Sequence, residues 1–351
     1  MSKASTISDV ALRAGVSRIT VSKALNNQGR ISPETRARVL QAATDLGYVA
    51  NTAARRLRGG RTNLLGVLVQ DLGDQYFAEI LRGVNDLVRE RGLDLVLYTS
   101  SNDPGRERER IAALSTGVSD GLIVISPHGS PGLIEQLRLA RVPIVLINAW
   151  GLDGVSSVNP DNFFGARAAT EHLIGLGHKR IGLIVARPDG SLEPGPYSLM
   201  RQDGYCAALA AAGLPFDPRL VRSGGLGQPT GRAAGMELLS LPERPSAIFA
   251  GNDLSAFGVI EAARDCGLRV PDDLSVVGFD DIPMAGQVRP ALTTVHQPLV
   301  ELGRTAAHLL LELLAGATEC TTLELPSTLI VRDSTAPPRA VMARADSRPR
   351  A

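Results

Sequence analysis

Apolar positions along this chain follow two regimes. Over the first sixty residues they recur in short bursts at helical spacing. Val10, Ala11 and Ala14 form one face of a helix that Thr6 can cap, and Ala14-Gly15-Val16 makes a sharp turn at which Gly15 is free to take positive φ. Ser17 caps a second helix, Arg18 to about Leu25, with Val21, Ala24 and Leu25 inward and Arg18, Ile19, Ser22 and Lys23 outward. A third helix opens at Ser32-Pro33-Glu34, where Ser32 caps, Pro33 fits the first turn and Glu34 meets the positive end of the dipole. It runs to about Leu46, and Val39, Leu40, Ala43 and Leu46 are expected to close a small three-helix core. Residues 48–60 add one or two helical turns, too short to be stable alone, and end in paired glycines.

From residue 62 the apolar runs become continuous. Strands are predicted at 64–69, 93–98, 121–126 and 143–148, with helices over about 75–91, 106–115 and 133–139 between them. The cycle restarts with a helix over about 162–176. Strands follow at 181–185, 220–223, 247–250 and 275–279, with helices near 201–212, 232–239 and 254–266. Continuous apolar strands alternating with helices predict a doubly wound parallel sheet, here built twice, with a cleft between the halves. Ligands of such sheets sit at the carboxyl ends of the strands, where this chain places Gln70, Asp71, Ser126, Asn148, Asn252, Asp253, Asp280 and Asp281.

Charge separates the same two regions. Residues 1–61 hold eleven Lys and Arg against three Asp and Glu, a balance of +8. The whole chain is +1, which leaves −7 for residues 62–351. A basic amino-terminal segment on an acidic body suits phosphate neutralisation, and a short helix offering Arg, Ser, Thr and Lys near its N-terminus suits a DNA major groove. An ordinary αα-hairpin with a solvated polar face is the plainer alternative.

Other classes find little support. No run of eighteen apolar residues suggests a membrane span, and the N-terminus lacks an apolar leader, so a cytoplasmic location is expected. Cys206, Cys266 and Cys320 are an odd, widely spaced set that fits a reducing compartment, and the five histidines show no paired ligand spacing. Residues 225–231, Gly-Leu-Gly-Gln-Pro-Thr-Gly, imitate a dinucleotide loop. However, Pro229 removes a backbone donor, and no acidic residue follows at the expected distance. No catalytic grouping is legible, so neither enzymatic activity nor a cofactor or metal is expected.

These motifs together resemble the LacI/GalR family of bacterial transcriptional regulators over almost the whole chain. The resemblance rests on D-V-A-x-x-A-G-V-S-x-x-T-V-S-x-x-L-N from Asp9, I-S-P-E-T-R-x-R-V from Ile31 and L-G-Y-x-x-N-x-x-A-R-x-L from Leu46. In the body it rests on Glu171-His172-Leu173, Gly177-His178, Gly251-Asn252-Asp253, Val277-Gly278-Phe279-Asp280-Asp281 and Leu292-Thr293-Thr294-Val295-His296-Gln297. It implies a helix-turn-helix domain at 1–50 and a hinge helix at 51–61. An effector-binding and dimerisation body resembling periplasmic binding proteins then spans 62–334. Its first half would comprise about 62–160 and 292–322, its second about 161–291 and 323–334. The tail, 335–351, has no leucine heptads, so a homodimer is expected and the tail is expected to be disordered.

The resemblance also implies roles. Arg18 and Ile19 would read bases, Arg18 through guanine and Ile19 through a thymine methyl, with Lys23 beside them. Ser17, Thr20, Ser22, Asn26, Ser32 and Thr35 would hold phosphates, and Thr6, Arg30, Tyr48, Asn51, Ala54 and Arg58 complete the DNA-facing set. Leu57, a lone large apolar residue among arginines, would wedge into the minor groove of a pseudo-palindromic operator. In the cleft, Asp280 and Arg201 would grip the effector, with Asp71, Ser126, Asp161, Leu226, Asn252 and Gln297 around it and Tyr76 and Phe77 covering it. A sugar or sugar derivative acting as inducer is the expected effector. A purine-like corepressor, or a sugar-binding receptor or enzyme with a basic appendage, is the alternative.

The +8 segment predicts a steep salt dependence. If a dimer neutralises roughly 6–10 phosphates, DNA affinity falls about 10³–10⁵-fold between about 50 and 200 mM salt. A gel-shift titration across that range checks it, and a flat profile would reject phosphate neutralisation as the source of affinity.

Overall fold

The computed structural model describes residues 5–25, 29–48, 61–101, 103–115, 118–127, 133–150, 154–185 and 195–339. Two compact units divide between Thr62 and Asn63. The first is a three-helix domain: α1 (Ile7–Ala14), α2 (Arg18–Leu25) and α3 (Pro33–Asp45). Local capping explains its boundaries. The Thr6 backbone N–H and hydroxyl both donate to Asp9 Oδ2, at 2.8 and 2.7 Å, and Gly15 ends α1 at φ 65°. Ser17 Oγ accepts from the Thr20 N–H at 3.1 Å, and Ser32 Oγ accepts from the Thr35 N–H at 3.2 Å. Val10, Ala11, Ala14, Val21, Ala24, Val39, Ala42 and Ala43 form the core. Leu40, expected there, is instead 47 % exposed. Val39, Ala42, Ala43 and Leu46 keep an i, i+3, i+4, i+7 stripe, and Leu40 lies one helical step off it.

The second unit holds two six-stranded sheets of matching topology. The first has strand order β11-β5-β4-β3-β1-β2 and is parallel throughout. Its strands are β1 (Leu64–Val69), β2 (Asp94–Thr99), β3 (Gly121–Ile125), β4 (Ile144–Ile147), β5 (Ser156–Pro160) and β11 (Thr322–Leu325). The second has order β12-β10-β9-β8-β6-β7: β6 (Ile181–Val185), β7 (Val221–Ser223), β8 (Ala247–Ala250), β9 (Ser275–Asp280), β10 (Thr293–His296) and β12 (Thr328–Ile330), the last antiparallel. Helices cover the faces: α4 (Gln75–Glu90), α5 (Pro104–Ser115) and α6 (Leu133–Arg138) in the first half, then α7 (Asn162–Gly175), α8 (Pro196–Ala211), α9 (Gln228–Leu239) and α10 (Asp253–Asp265) in the second, with α11 (Leu299–Leu314) returning to the first. In each sheet the order reverses beside its first strand, between β1 and β3 and between β6 and β8, where ligands of doubly wound folds bind.

The chain changes half three times. It leaves the first sheet after β5, returns between β10 and α11, and leaves again between β11 and β12. The sequence puts the second and third changes near 292 and 323. The structure moves both later, because β10 still pairs with β9 (Thr293 opposite Val277) and β11 pairs with β5 (Thr322 opposite Ser157). β5, Ser-Ser-Val-Asn-Pro, was not expected as a strand. It is buried throughout, and its polar groups are paired: Asn159 Oδ1 accepts from the Ala149 N–H at 2.8 Å and Ser156 Oγ from the Thr321 N–H at 3.2 Å. The beginning of the expected disordered tail is also held. Thr335 Oγ1 meets His172 Nε2 at 3.0 Å, the Ala336 N–H donates to Ser275 Oγ at 3.0 Å, and Arg339 Nη1 donates to Asp273 Oδ1 at 2.8 Å. Residues 340–351 lie outside the described residues.

Helices α4 and α11 pack backbone on backbone. A Cβ on Gly83 would sit 1.9 Å from the Val300 carbonyl oxygen, and one on Gly303 2.0 Å from that of Ile80. Gly303→Ala is therefore expected to force the helices apart and destabilise the protein by about 1–3 kcal/mol. Gly175→Ala, at a helical position with nothing within 4 Å, should be neutral or stabilising by roughly 0.4–1 kcal/mol. Urea midpoints of the two variants check the pair, and equal midpoints would show that the helix contact is looser than described.

Candidate functional site

The carboxyl ends of the two sheets face one another across a cleft. From the first half come Gln70 after β1, Asp74, Tyr76 and Phe77 at the start of α4, Ser126 after β3 and Asn148 after β4. From the second come Tyr197 and Arg201 on α8, Leu226, Asn252 after β8 and Asp280 at the end of β9. They enclose an inner chamber of about 40 Å³. An outer chamber of about 340 Å³ shares Gln70, Asp74, Phe77 and Leu226 with it. The inner volume holds little more than water, whereas the outer one is of small-ligand size. A wider hollow of about 410 Å³ lies on the flank of the second half, beside Phe257, Ile260 and Val288. It lacks converging buried polar groups, so the cleft is the better site.

Arg201 dominates the cleft and is 5 % exposed. Its Nε donates to Asn162 Oδ1 at 2.7 Å, Nη1 donates to the Gly251 carbonyl, and Nη2 lies 3.6 Å from Asp280 Oδ1. The guanidinium carbon stands 3.8 Å from the centre of the Phe279 ring. Asp280 Oδ1 also accepts from Gln297 Nε2 at 2.6 Å. Burial raises the Asp280 carboxyl well above its usual range, against the pull of Arg201. Burial likewise pushes the Tyr197 phenol up to about 12 and the Tyr76 phenol further. Both remain neutral hydroxyls that can donate to a ligand. The Tyr76 and Phe77 rings meet edge to face at 5.3 Å.

The backbone is strained at this site. Among the described residues six non-glycine positions have positive φ, and four are strand ends here: Ser126 (49°), Asn148 (57°), Asp280 (120°) and Asp281 (57°). Each costs about 1–3 kcal/mol and persists only where its surroundings impose it.

Seven of the expected effector residues line the inner chamber, and three lie outside that lining. Asp71 is exposed at the outer rim, its Oδ1 accepting from the Gly73 N–H at 2.8 Å. Asp161 caps α7, accepting from the Phe164 N–H at 2.9 Å, and does not line the cleft. Gln297 stands behind Asp280 rather than in the lining. Sequence reasoning missed Asp74, Tyr197 and Asn162. Asp74 carried a signal: it is the Asx cap ahead of Tyr76 and Phe77, accepting from the Tyr76 N–H at 2.9 Å. Tyr197 lies one turn before Arg201 on the same face of α8. The glycine-rich 225–231 segment also has a packing role. A Cβ on Gly231 would lie 2.4 Å from Ser255 Cα, so this glycine lets α9 touch α10.

In the amino-terminal domain the start of α2 is open. Ser17, Arg18 and Lys23 are exposed and Ile19 is 69 % exposed, while Thr20 and Ser22 are half-buried. Thr6, Arg30 and Ser32 are exposed, and Thr35 and Tyr48 half-buried. Ser17 and Thr20 pair their hydroxyls at 2.9 Å, and Ser32 and Thr35 theirs at 3.0 Å, so both helix N-termini present hydroxyls. Asn26, Asn51, Ala54, Leu57 and Arg58 lie outside the described residues.

A basic helix-turn-helix domain followed by a two-lobed α/β body with a polar cleft defines a DNA-binding regulator that responds to a small ligand. The chain belongs to the LacI family of bacterial transcriptional regulators. Residues 6–51 match the family model described as bacterial regulatory proteins, lacI family, and residues 170–335 match the periplasmic binding protein-like domain. The regulator CelR of Thermobifida fusca is 38 % identical over 339 residues, covering 94 % of this chain and 98 % of CelR. Catabolite control protein A of Priestia megaterium is 34 % identical, covering 94 % and 99 %. The repressor PurR of Pectobacterium carotovorum is 36 % identical, covering 94 % and 97 %. Among solved structures, the lac repressor dimer bound to operator and the anti-inducer ONPF has a TM-score of 0.82 at 28 % identity, covering 95 % of this chain and all of that one. A CelR–cellobiose complex has 0.71 at 36 %, covering 94 % and 99 %.

Beside the cleft, Asp253 is fully buried, accepting from Thr294 Oγ1 at 2.5 Å and the Ile282 N–H at 2.9 Å, and burial pushes its carboxyl up to about 7. In the unfolded chain an aspartate titrates near 3.9, that is, at about its ordinary value. Between those values the folded state holds the proton and the unfolded state does not. The stability this group contributes is therefore complete below about pH 4 and lost as pH rises through about 7. Asp253→Asn should flatten that decline. Thermal midpoints from pH 5 to 8 check it, and parallel profiles would mean that Asp253 is ionised throughout.

Proposed function

We propose that this chain is a cytoplasmic repressor that binds a pseudo-palindromic operator as a homodimer, and that a sugar or sugar derivative binds the cleft and releases it. The observation that carries the effector reading is the buried pair Arg201 and Asp280, 3.6 Å apart. A guanidinium and a carboxylate at that spacing can donate to and accept from neighbouring hydroxyls of one ring. Asn148, Asn252, Ser126 and Gln70 offer further amide and hydroxyl partners, and Tyr76, Phe77 and Tyr197 supply flat faces for a pyranose. CelR, the relative solved with cellobiose, supports this reading. On the DNA side, Arg18 and Ile19 at the start of α2 read bases in the major groove, and the paired hydroxyls of Ser17 with Thr20 and Ser32 with Thr35 hold phosphates.

Calorimetry against pentoses, hexoses, cellobiose, polyols and nucleobases tests the effector, alongside gel shifts on the DNA upstream of the gene. A sugar should bind and weaken operator affinity. Asp280→Ala and Arg201→Ala should abolish sugar binding in calorimetry, and with it any change of operator affinity on adding sugar. A ligand that favours one orientation of the halves tenfold shifts their balance by only about 1.4 kcal/mol, so effective release needs a larger preference or two sites acting together. Binding of a nucleobase alone, with tighter operator affinity in its presence, would overturn the sugar-inducer reading and leave the repressor standing.

A further inference from the structure

Two charged groups of the cleft, Arg201 and Asp280, are each tied to a segment where the chain changes half. Arg201 Nε donates to the Oδ1 of Asn162, the fully buried first residue of α7, which follows β5 as the chain leaves the first sheet. Asp280 Oδ1 accepts from Gln297, which follows β10 as the chain returns to α11. Neither tie is explained by packing alone, since each amide is buried and turned toward a charge that the ligand would need.

The Asn162 tie continues into the first half. Its Nδ2 donates to the Pro160 carbonyl at 3.2 Å and to Asn148 Oδ1 at 3.4 Å. Asn148 Nδ2 donates to Ser126 Oγ at 3.0 Å, and Gln70 Nε2 to the Ser126 carbonyl at 2.5 Å. One hydrogen-bonded row thus runs from the guanidinium of the second half across the ends of β4, β3 and β1. On the other side Gln297 is 1 % exposed, and its Oε1 has no hydrogen-bond partner among the described residues. A buried unmet acceptor is costly, so this amide gains from a rearrangement that satisfies it.

We infer that Asn162 and Gln297 are positioning residues that couple the hydrogen bonding of Arg201 and Asp280 to the relative orientation of the two halves. The inference rests on the reading that an effector engages Arg201 and Asp280. A ligand oxygen that takes a bond from Arg201, or a hydroxyl that donates to Asp280, competes directly with these two amides. Each displaced amide must find new partners, and each belongs to a crossover, so re-pairing turns one half against the other. Binding energy at the cleft is spent at the segments that set orientation.

The chain carries its own reporters: Cys266 follows α10 in the second half, Cys320 precedes β11 in the first, and both are exposed. Spin labels on these two, in a Cys206→Ser background and in dimers diluted with unlabelled chain, give the distance between halves by pulsed dipolar spectroscopy without any ligand. Asn162→Leu and Gln297→Leu should each shift or broaden that distribution. Asn162→Asp, which keeps an acceptor for Arg201, should stay nearer the wild type than Asn162→Leu. Folding is followed by circular dichroism, and if Asn162→Leu does not fold, Gln297→Leu decides alone. Wild-type distributions in the folded leucine variants overturn the coupling. The readout needs no effector, so failure of every sugar in calorimetry would count against the effector reading without altering this result.

Discussion

A buried cation has to be answered on every side, and Arg201 is the case on which the body of this protein turns. Taking a guanidinium out of water costs several kcal/mol unless hydrogen bonds and opposite charge restore what the solvent gave. Here the answer comes from four places at once: the Asn162 amide, the Gly251 carbonyl, the Asp280 carboxylate and the face of Phe279. Those partners belong to the start of α7, the end of β8 and the end of β9. The arginine therefore fixes the ends of three separate elements relative to one another. The raised carboxyl of Asp280 belongs to the same balance, since one guanidinium shared among so many acceptors does not fully offset the burial of the acid.

The division of charge along the chain follows from separate tasks. A segment that meets phosphates gains from every added Lys or Arg, and the domain at 1–61 carries +8. A body that binds a small polar ligand gains nothing from such a field, and an acidic surface keeps it from competing for the same DNA. The small domain can be small because caps, not a large core, define its helices. Thr6, Ser17 and Ser32 each terminate a helix with a side chain, and eight mostly small residues suffice beneath them.

That difference explains what was legible in the sequence. Caps, glycine turns and apolar runs are local, so α1 to α3 and the interior strands β1, β3, β6, β8 and β9 could be read directly. β5 was hidden because its burial is supported by polar pairing with residues far along the chain, which no short window contains. The segment from β10 to β12 was hidden for a related reason, because it serves both halves alternately, and only pairing shows that β10 and β12 belong to one sheet and β11 to the other. In the cleft, residues at strand ends were visible from position alone. Asp74 and Tyr197 were not, since each enters from the first turn or two of a helix. Asp71 lies at the outer rim and Asp161 caps a helix, because an aspartate at a strand end is equally suited to closing a turn or capping a helix.

The same geometry bears on how the cleft can move. Three crossovers join the halves, and two of them begin with an amide bonded to a charge of the site. Strand ends held at φ of 49°, 57° and 120° are costly in this arrangement, so their surroundings must supply the difference. An arrangement maintained by a few directional bonds against local strain does not soften gradually; it exchanges for another set of bonds. The Met284 N–H donating to Gln75 Oε1 at 3.1 Å is a further bond between halves that such an exchange would break. A ligand needs only to outbid a small number of hydrogen bonds, each worth about 0.5–1.5 kcal/mol net and more where a charge takes part. A modest polar molecule can therefore reset the orientation of a body this large, provided it touches the two charges on which those bonds converge.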